Sequence, residues 1–333
     1  MSFAKRLIRT IIVLGLAACV LTRGGGADAP GRVYVSNEAD GTVSVIDAAT
    51  LAVVDTIAVG TRPRGIQAAP DGRRVYVALS DTDTQATSDA DAIAAIDTAT
   101  GKIVARYPVG SDPEQFAISP DGRRLYASNE DAGTASVTDV ASGRVIATLP
   151  VGIEPEGVGI SPDGRWVYVT AETSNTVSVI DTRDNTVAAS FLVDPRPRSA
   201  AFAPDGLKAY VTAEIGGTVS VVDVRAHRVC AIVDALGPAD KPMGVVVSPD
   251  SSRVYVTTGH GHHVEVIDAQ TLDLIGRVSV GKRPWGIGLS GDGARIYTAN
   301  GLTDDVSVVD TATLRVVRTV GVGARPWGIA VVP

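Results

Sequence analysis

Short runs of alternating apolar and polar residues fill nearly all of the chain after residue 30. In "EGVGIS" (156–161), "RWVYVTA" (165–171), "TVSVID" (176–181) and "TVAASFLV" (186–193), each run has strand length. Pro162-Asp163-Gly164, "ETSN" and "TRDN" separate them. Period-two alternation bounded by such residues predicts four antiparallel strands joined by tight turns. The Asp-Gly pairs supply backbone freedom at hairpin tips.

The same sentence recurs. A tyrosine opens the second run at Tyr34, Tyr76, Tyr126, Tyr168, Tyr210, Tyr255 and Tyr297, at intervals of 42, 50, 42, 42, 45 and 42 residues. An aspartate closes the third run at Asp47, Asp97, Asp139, Asp181, Asp223, Asp268 and Asp310. These aspartates are placed to accept hydrogen bonds from turn amides, which gives their repetition a structural reason. One four-stranded unit cannot bury both its faces, and seven stacked radially can. The pattern therefore predicts an all-β, seven-bladed propeller over residues 30–333. The repeat enters on a second strand, "GRVYVSNE", and its last run, "GIAVVP" (328–333), is a first strand. That phase predicts closure of the ring by the C-terminal strand joining the N-terminal blade, which removes two free edges.

"VYVSNEADGTVSVID", "WVYVTAETSNTVSVID" and "AYVTAEIGGTVSVVD" resemble the YVTN family of β-propeller repeats. The "RPWGI" endings and the entry "GRVYVSNEADGTVSVIDAATL" are similar to a subgroup associated with PQQ-dependent catabolism. That subgroup consists of exported seven-repeat proteins that occur beside ABC-transport genes linked to alcohol oxidation by quinoprotein dehydrogenases. The resemblance implies an accessory role in such a periplasmic system, with a dehydrogenase, cytochrome or transport component as partner. It does not imply that this chain binds the quinone, and fold alone does not settle function.

Residues 1–29 differ from the rest. Lys5, Arg6 and Arg9 precede the apolar run "IIVLGLAACVL", which is short for a membrane span and suits a secretory signal, with cleavage after Ala27. Leu16-Ala17-Ala18-Cys19 also resembles a lipoprotein box that would place a lipid anchor on Cys19. Either reading predicts an exported, periplasmic protein with no transmembrane helix once processed. Cys230 would then be alone, and its run "HRVCAIVDA" predicts a small core side chain. A net charge of −7 leaves no basic stripe for nucleic acid.

In a propeller the fourth-to-first and second-to-third connections emerge on one face. The first set carries Arg62, Arg64, Asp112, Glu114, Glu154, Glu156, Arg196, Arg198, Lys241, Arg283, Trp285, Arg325 and Trp327. The second carries Glu38, Asp81, Glu130, Glu172, Glu214, His260 and Asn300. One sector should be basic and aromatic (Arg283, Arg325, Arg62 and Arg64 with the two tryptophans) and the opposite one acidic. This is a docking rim for an anionic small molecule or a partner protein, or else a set of loop-to-loop ion pairs. Two weaker metal candidates exist: Asp81 and Asp83 in the insertion "SDTDTQATSDADA", and His260 and His262 in "GHGHHVEVID". Neither has the spacing of a known site, so no metal and no cofactor are expected. The chain lacks His-Glu-x-x-His, a phosphate-binding glycine loop and a nucleophile elbow. That favours binding over catalysis. The enzymatic alternative is a lactonase-like hydrolase using His260, Glu214 and Arg283 as base, orienter and oxyanion partner, and a further alternative is a docking subunit for a quinoprotein dehydrogenase or cytochrome.

Overall fold

The computed structural model describes residues 31–81, 90–234, 236–237 and 239–332. The segment read as a signal, Cys19 and Asp83 lie outside the described residues. Twenty-eight strands form seven four-stranded antiparallel sheets, and none of the described residues is helical.

In the first blade, β1 (Arg32–Asn37), β2 (Thr42–Asp47) and β3 (Ala52–Ala58) are joined on the inner side by β28 (Pro326–Val332). Arg32 faces Val332 and Tyr34 faces Ala330 across that ladder, so the ring closes as the phase of the repeat predicts. The other innermost strands are β4 (Pro63–Ala68), β8 (Pro113–Ile118), β12 (Pro155–Ile160), β16 (Pro197–Phe202), β20 (Pro242–Val247) and β24 (Pro284–Leu289). All seven begin with proline, which lacks a ladder donor and is confined in sheets to such starts.

The core lies between blades. Seven clusters of buried Val, Ile, Leu and Ala each bridge adjacent sheets, and all seven repeat tyrosines are at most 2% exposed. The outermost strands face water along one side. Cys230 lies on one of them, β19 (Arg228–Val233), and is exposed, contrary to the core position its apolar run suggests. An outer strand of a radial sheet has no blade beyond it, so apolar content there does not mean burial.

The recurring aspartates cap the turns. Asp47 accepts from the amides of Ala49 and Thr50 and from the Thr50 hydroxyl, and Asp97, Asp139, Asp268 and Asp310 repeat the arrangement in part or in full. Side-chain hydrogen bonds hold the Asp181 and Asp250 carboxyls near pKa 2, against an ordinary 3.8. A carboxyl with a lowered folded-state pKa stabilises the fold above its unfolded value, and that contribution is lost as pH falls through the folded value. The thermal midpoint is therefore expected to fall steadily between pH of about 4 and about 2. A flat midpoint across that interval would contradict the capping role.

Candidate functional site

Three structural devices build the rim. First, the residue before each inner-strand proline is non-glycine with positive φ: Arg62, Asp112, Glu154, Arg196, Lys241, Arg283 and Arg325, between 41° and 64°. Such backbone is costly for side chains with a Cβ, by about 1–2 kcal/mol. It is held in place because its carbonyl accepts an amide from the neighbouring loop: Glu38 to Arg325, Glu130 to Asp112, Glu172 to Glu154, Glu214 to Arg196, Gly259 to Lys241 and Gly301 to Arg283, at 2.8–3.1 Å. Second, each inner strand slips register just after its proline, for example between Pro155 and Val158 and between Pro284 and Ile287. A bulge of this kind re-aims the side chains inside it. Third, hydroxyls on the second strands lock one blade to the next. Ser36, Ser128, Thr212 and Thr257 donate to the carbonyls of Arg64, Glu156, Met243 and Trp285 at 2.5–2.9 Å.

The residue inside each bulge forms a ring around the axis: Arg64, Glu114, Glu156, Arg198, Met243, Trp285 and Trp327. Its order is the main result of the geometry. One flank runs Arg-Glu-Glu-Arg and the other Met-Trp-Trp. A mouth cavity of about 330 Å³ lies above the ring and a channel cavity of about 320 Å³ below it. Glu156, Arg198, Trp285 and Trp327 line both, so they form the floor of one and the roof of the other.

The first flank is an ion-pair network. Arg62 meets Asp112 at 3.1 Å, and Arg64 pairs with Glu114 and, at 3.0 Å, with Glu38. Arg198 pairs with Glu172, with Glu156 at 3.1 Å and with Glu214 at 2.7 Å. Arg196 reaches Glu172 and Glu214 at 2.8 and 3.2 Å, and Lys241 reaches Glu214 at 3.5 Å. Burial raises the Glu214 carboxyl, but Arg198, Arg196 and Lys241 together outweigh that and hold it below the ordinary range. Arg62 and Arg64 therefore belong with the acids, not with the basic sector the sequence suggests.

Glu130 is the exception in this network. It lines the mouth and, among the described residues, its carboxylate has no hydrogen bond or ion pair. Burial, with the carboxylates of Glu156 and Asp112 nearby, pushes its carboxyl up to about 7. Seven carboxylates on this flank (Glu38, Asp112, Glu114, Glu130, Glu156, Glu172, Glu214) share five cations (Arg62, Arg64, Arg196, Arg198, Lys241). Carboxylates thus outnumber cations on this flank, and the Glu130 carboxyl, raised to about 7, is only partly ionised at neutral pH.

The other flank is open. The second-to-third connections that supply Glu38, Glu130, Glu172 and Glu214 elsewhere supply Gly259 and Gly301 here, because these are the residues that bond the positive-φ carbonyls. His260 is exposed and lines neither cavity, and Asn300 is buried and bonded to Asp305 and Ser307. In the fifty-residue repeat the equivalent position is Ser80, one residue before Asp81. The guanidinium groups of Arg283 and Arg325 accordingly have no carboxylate within ion-pair distance among the described residues. Arg283 lies 5.0 Å over the Trp285 ring, and Trp285 and Trp327 pack with centroids 5.8 Å apart at 37°. His262 is spent on a local contact, its Nδ1 accepting the Arg283 amide at 3.1 Å. Among the described residues the histidines thus gather no ligand set, and the His260–Glu214–Arg283 cluster is not assembled: Glu214 is tied into the arginine network and His260 lines neither cavity.

Sequence models of two families match parts of the chain. The cytochrome D1 heme domain matches residues 79–199, and the seven-bladed β-propeller lactonase matches residues 195–319. No curated protein sequence matches the chain. Among solved structures, Kuenenia stuttgartiensis hydrazine synthase aligns at 23% identity with a TM-score of 0.74, covering 89% of this chain and 99% of that one. A functionally unknown Desulfotomaculum acetoxidans protein aligns at 22% and 0.77, covering 90% and 98%. A Bacteroides fragilis protein provisionally assigned as a 6-phosphogluconolactonase aligns at 19% and 0.75, covering 92% and 99%. At these identities the shared property is the fold. The chain is a seven-bladed β-propeller, similar over parts of its length to the lactonase and cytochrome D1 sequence families.

Proposed function

We propose that this protein is an exported binding propeller whose mouth takes a small planar anion, and that it serves as an accessory to quinone-dependent alcohol oxidation in the cell envelope. One observation carries the binding half: Arg283 and Arg325 stand unpaired beside the Trp285–Trp327 pair, while every other rim arginine is matched to a carboxylate. Free guanidinium groups are bidentate partners for carboxylates, and indole faces stack on flat rings. Export is supported by the charged, apolar and small-residue segments of residues 1–29. The accessory role is supported by the YVTN and PQQ-associated resemblance of the repeats. Its partner would be a dehydrogenase, a cytochrome or a transport component.

The test is a tagged full chain carrying Arg283→Glu and Arg325→Glu, expressed in alcohol-grown cells. Slower growth on alcohols and loss of a co-purifying dehydrogenase or cytochrome are expected. Normal growth with unchanged capture would remove this reading.

A second reading is lactone hydrolysis, favoured by the lactonase match over residues 195–319. It separates cleanly from the first. Turnover of 6-phosphogluconolactone that is abolished by Arg283→Gln would establish catalysis at the same mouth, and binding without turnover would exclude it.

A further inference from the structure

The acidic flank of the mouth is a second, chemically distinct site. We infer that Glu130, Glu156 and Glu172 bind a hard divalent cation, with Ca²⁺ as the best-fitting ion. This does not rest on the anion-binding reading, which uses the opposite flank.

Geometry comes first. One carboxylate oxygen from each of these three residues lies within 4.8 Å of the others, and Asp112 and Glu114 form an adjoining set with the same Glu130. Oxygens bound to one Ca²⁺ at about 2.3–2.6 Å can lie no more than about 5 Å apart, so the three are close enough to share a single ion, with Glu172 also held by Arg196 and Arg198. The donors are all carboxylate oxygens, which suits Ca²⁺, Mg²⁺ or Mn²⁺ and not a soft metal. Three protein ligands leave positions for water or for a ligand in the mouth above.

The second observation is independent of that clustering. Glu156 is 2% exposed and lines both cavities, yet its Oε1 has no hydrogen-bond partner. Only its Oε2 is engaged, by Arg198 at 3.1 Å. A buried carboxylate oxygen without a donor is costly and rare, and a charge-assisted partner is the usual remedy. Among the described residues Arg198 is the one cation paired with Glu156, and it is already shared with Glu172 and Glu214. The Glu130 carboxylate faces the same space and, among the described residues, has no hydrogen-bond or ion-pair partner. Carboxylates outnumber cations on this flank, which leaves a negative potential suited to a bound cation.

Other features of the molecule carry less. The exposed Val and Ile residues of the outer strands have nothing over them to identify a partner, and Cys230 stands alone.

The experiment is calorimetric titration of chelator-treated protein with CaCl₂, and separately with MgCl₂ and MnCl₂. Tb³⁺ luminescence excited through tryptophan gives a second readout, because Trp285 and Trp327 line the same cavity. One Ca²⁺ per chain is expected, with a Kd of about 10⁻⁴ M or tighter and a thermal midpoint that rises with Ca²⁺. Glu130→Gln and Glu156→Gln should each weaken binding at least about tenfold. Glu130→Gln should fold at least as well as the parent in the absence of metal, since it removes an unpaired charge. The inference is overturned if none of the three cations gives heat, luminescence or a midpoint shift at about 10 mM. It is equally overturned if Ca²⁺ binds Glu130→Gln as tightly as the parent.

Discussion

Arg198→Met will destabilise the protein by about 3–5 kcal/mol, the range seen when one partner is removed from a buried ion pair. For a chain of this size that lowers the thermal midpoint by roughly 5–15 °C. Arg198 contacts three carboxylates, and its side chain is 10% exposed while those of Glu156 and Glu172 are 3% and 5%. Methionine would fill much of the volume while leaving Glu156 with no ion-pair partner and Glu172 and Glu214 with only Arg196 and, for Glu214, Lys241. The size of the effect thus comes from stranded charge and not from lost packing. The double variant Arg198→Met with Glu156→Gln should recover part of the loss, because one of the stranded charges is gone. Denaturant unfolding of the parent, the single variant and the double variant measures this directly. A loss below about 1 kcal/mol for Arg198→Met would mean that water, not the guanidinium, neutralises these acids.

Removing residues 326–333 will abolish cooperative folding. That segment contains β28, which supplies the whole inner ladder of the first blade and pairs with β1 from Arg32↔Val332 to Asn37↔Pro326. It also buries Trp327, Ile329 and Val332, each at most 8% exposed. Three such side chains contribute roughly 5–9 kcal/mol, comparable to the whole stability of a typical domain. The deletion would also open the channel and remove one of the two mouth tryptophans. Circular dichroism and limited proteolysis should show an unfolded or protease-sensitive chain. A truncated protein that melts cooperatively near the parent midpoint would show that the ring does not depend on this closure.

How much of this was legible in the sequence varies by level. The blade count, strand order and ring closure follow from the spacing of Tyr34 through Tyr297 and from the phase of the last strand, because short-range alternation fixes strands and the repeat fixes their number. Most rim residues could be named for the same reason, though Met243 of the ring was not, because its apolar side chain gives no signal of a mouth position. Their pairing was not. Arg62 and Arg64 carry the same charge as Arg283 and Arg325, and only the neighbouring connections decide which are neutralised. The register that puts Gly259 and Gly301, and not His260 and Asn300, opposite the free arginines depends on a one-residue offset. Glu130 and Glu172 could be placed at the mouth, but the absence of a cation beside Glu130 is a property of three-dimensional packing. Cys230 shows the converse limit: alternation marks a strand without saying whether another blade covers it.

One half of the mouth holds every arginine against a carboxylate, while the other leaves Arg283 and Arg325 without one. The most direct test is a calorimetric titration with a flat polycarboxylate, using pyrroloquinoline quinone as the probe and tryptophan fluorescence as a parallel signal. The parent should bind one molecule per chain with quenching of Trp285 and Trp327. Arg283→Gln with Arg325→Gln should weaken it by roughly a hundredfold, as two lost charge-assisted contacts imply. No binding to the parent, or equal affinity in the double variant, would contradict the account.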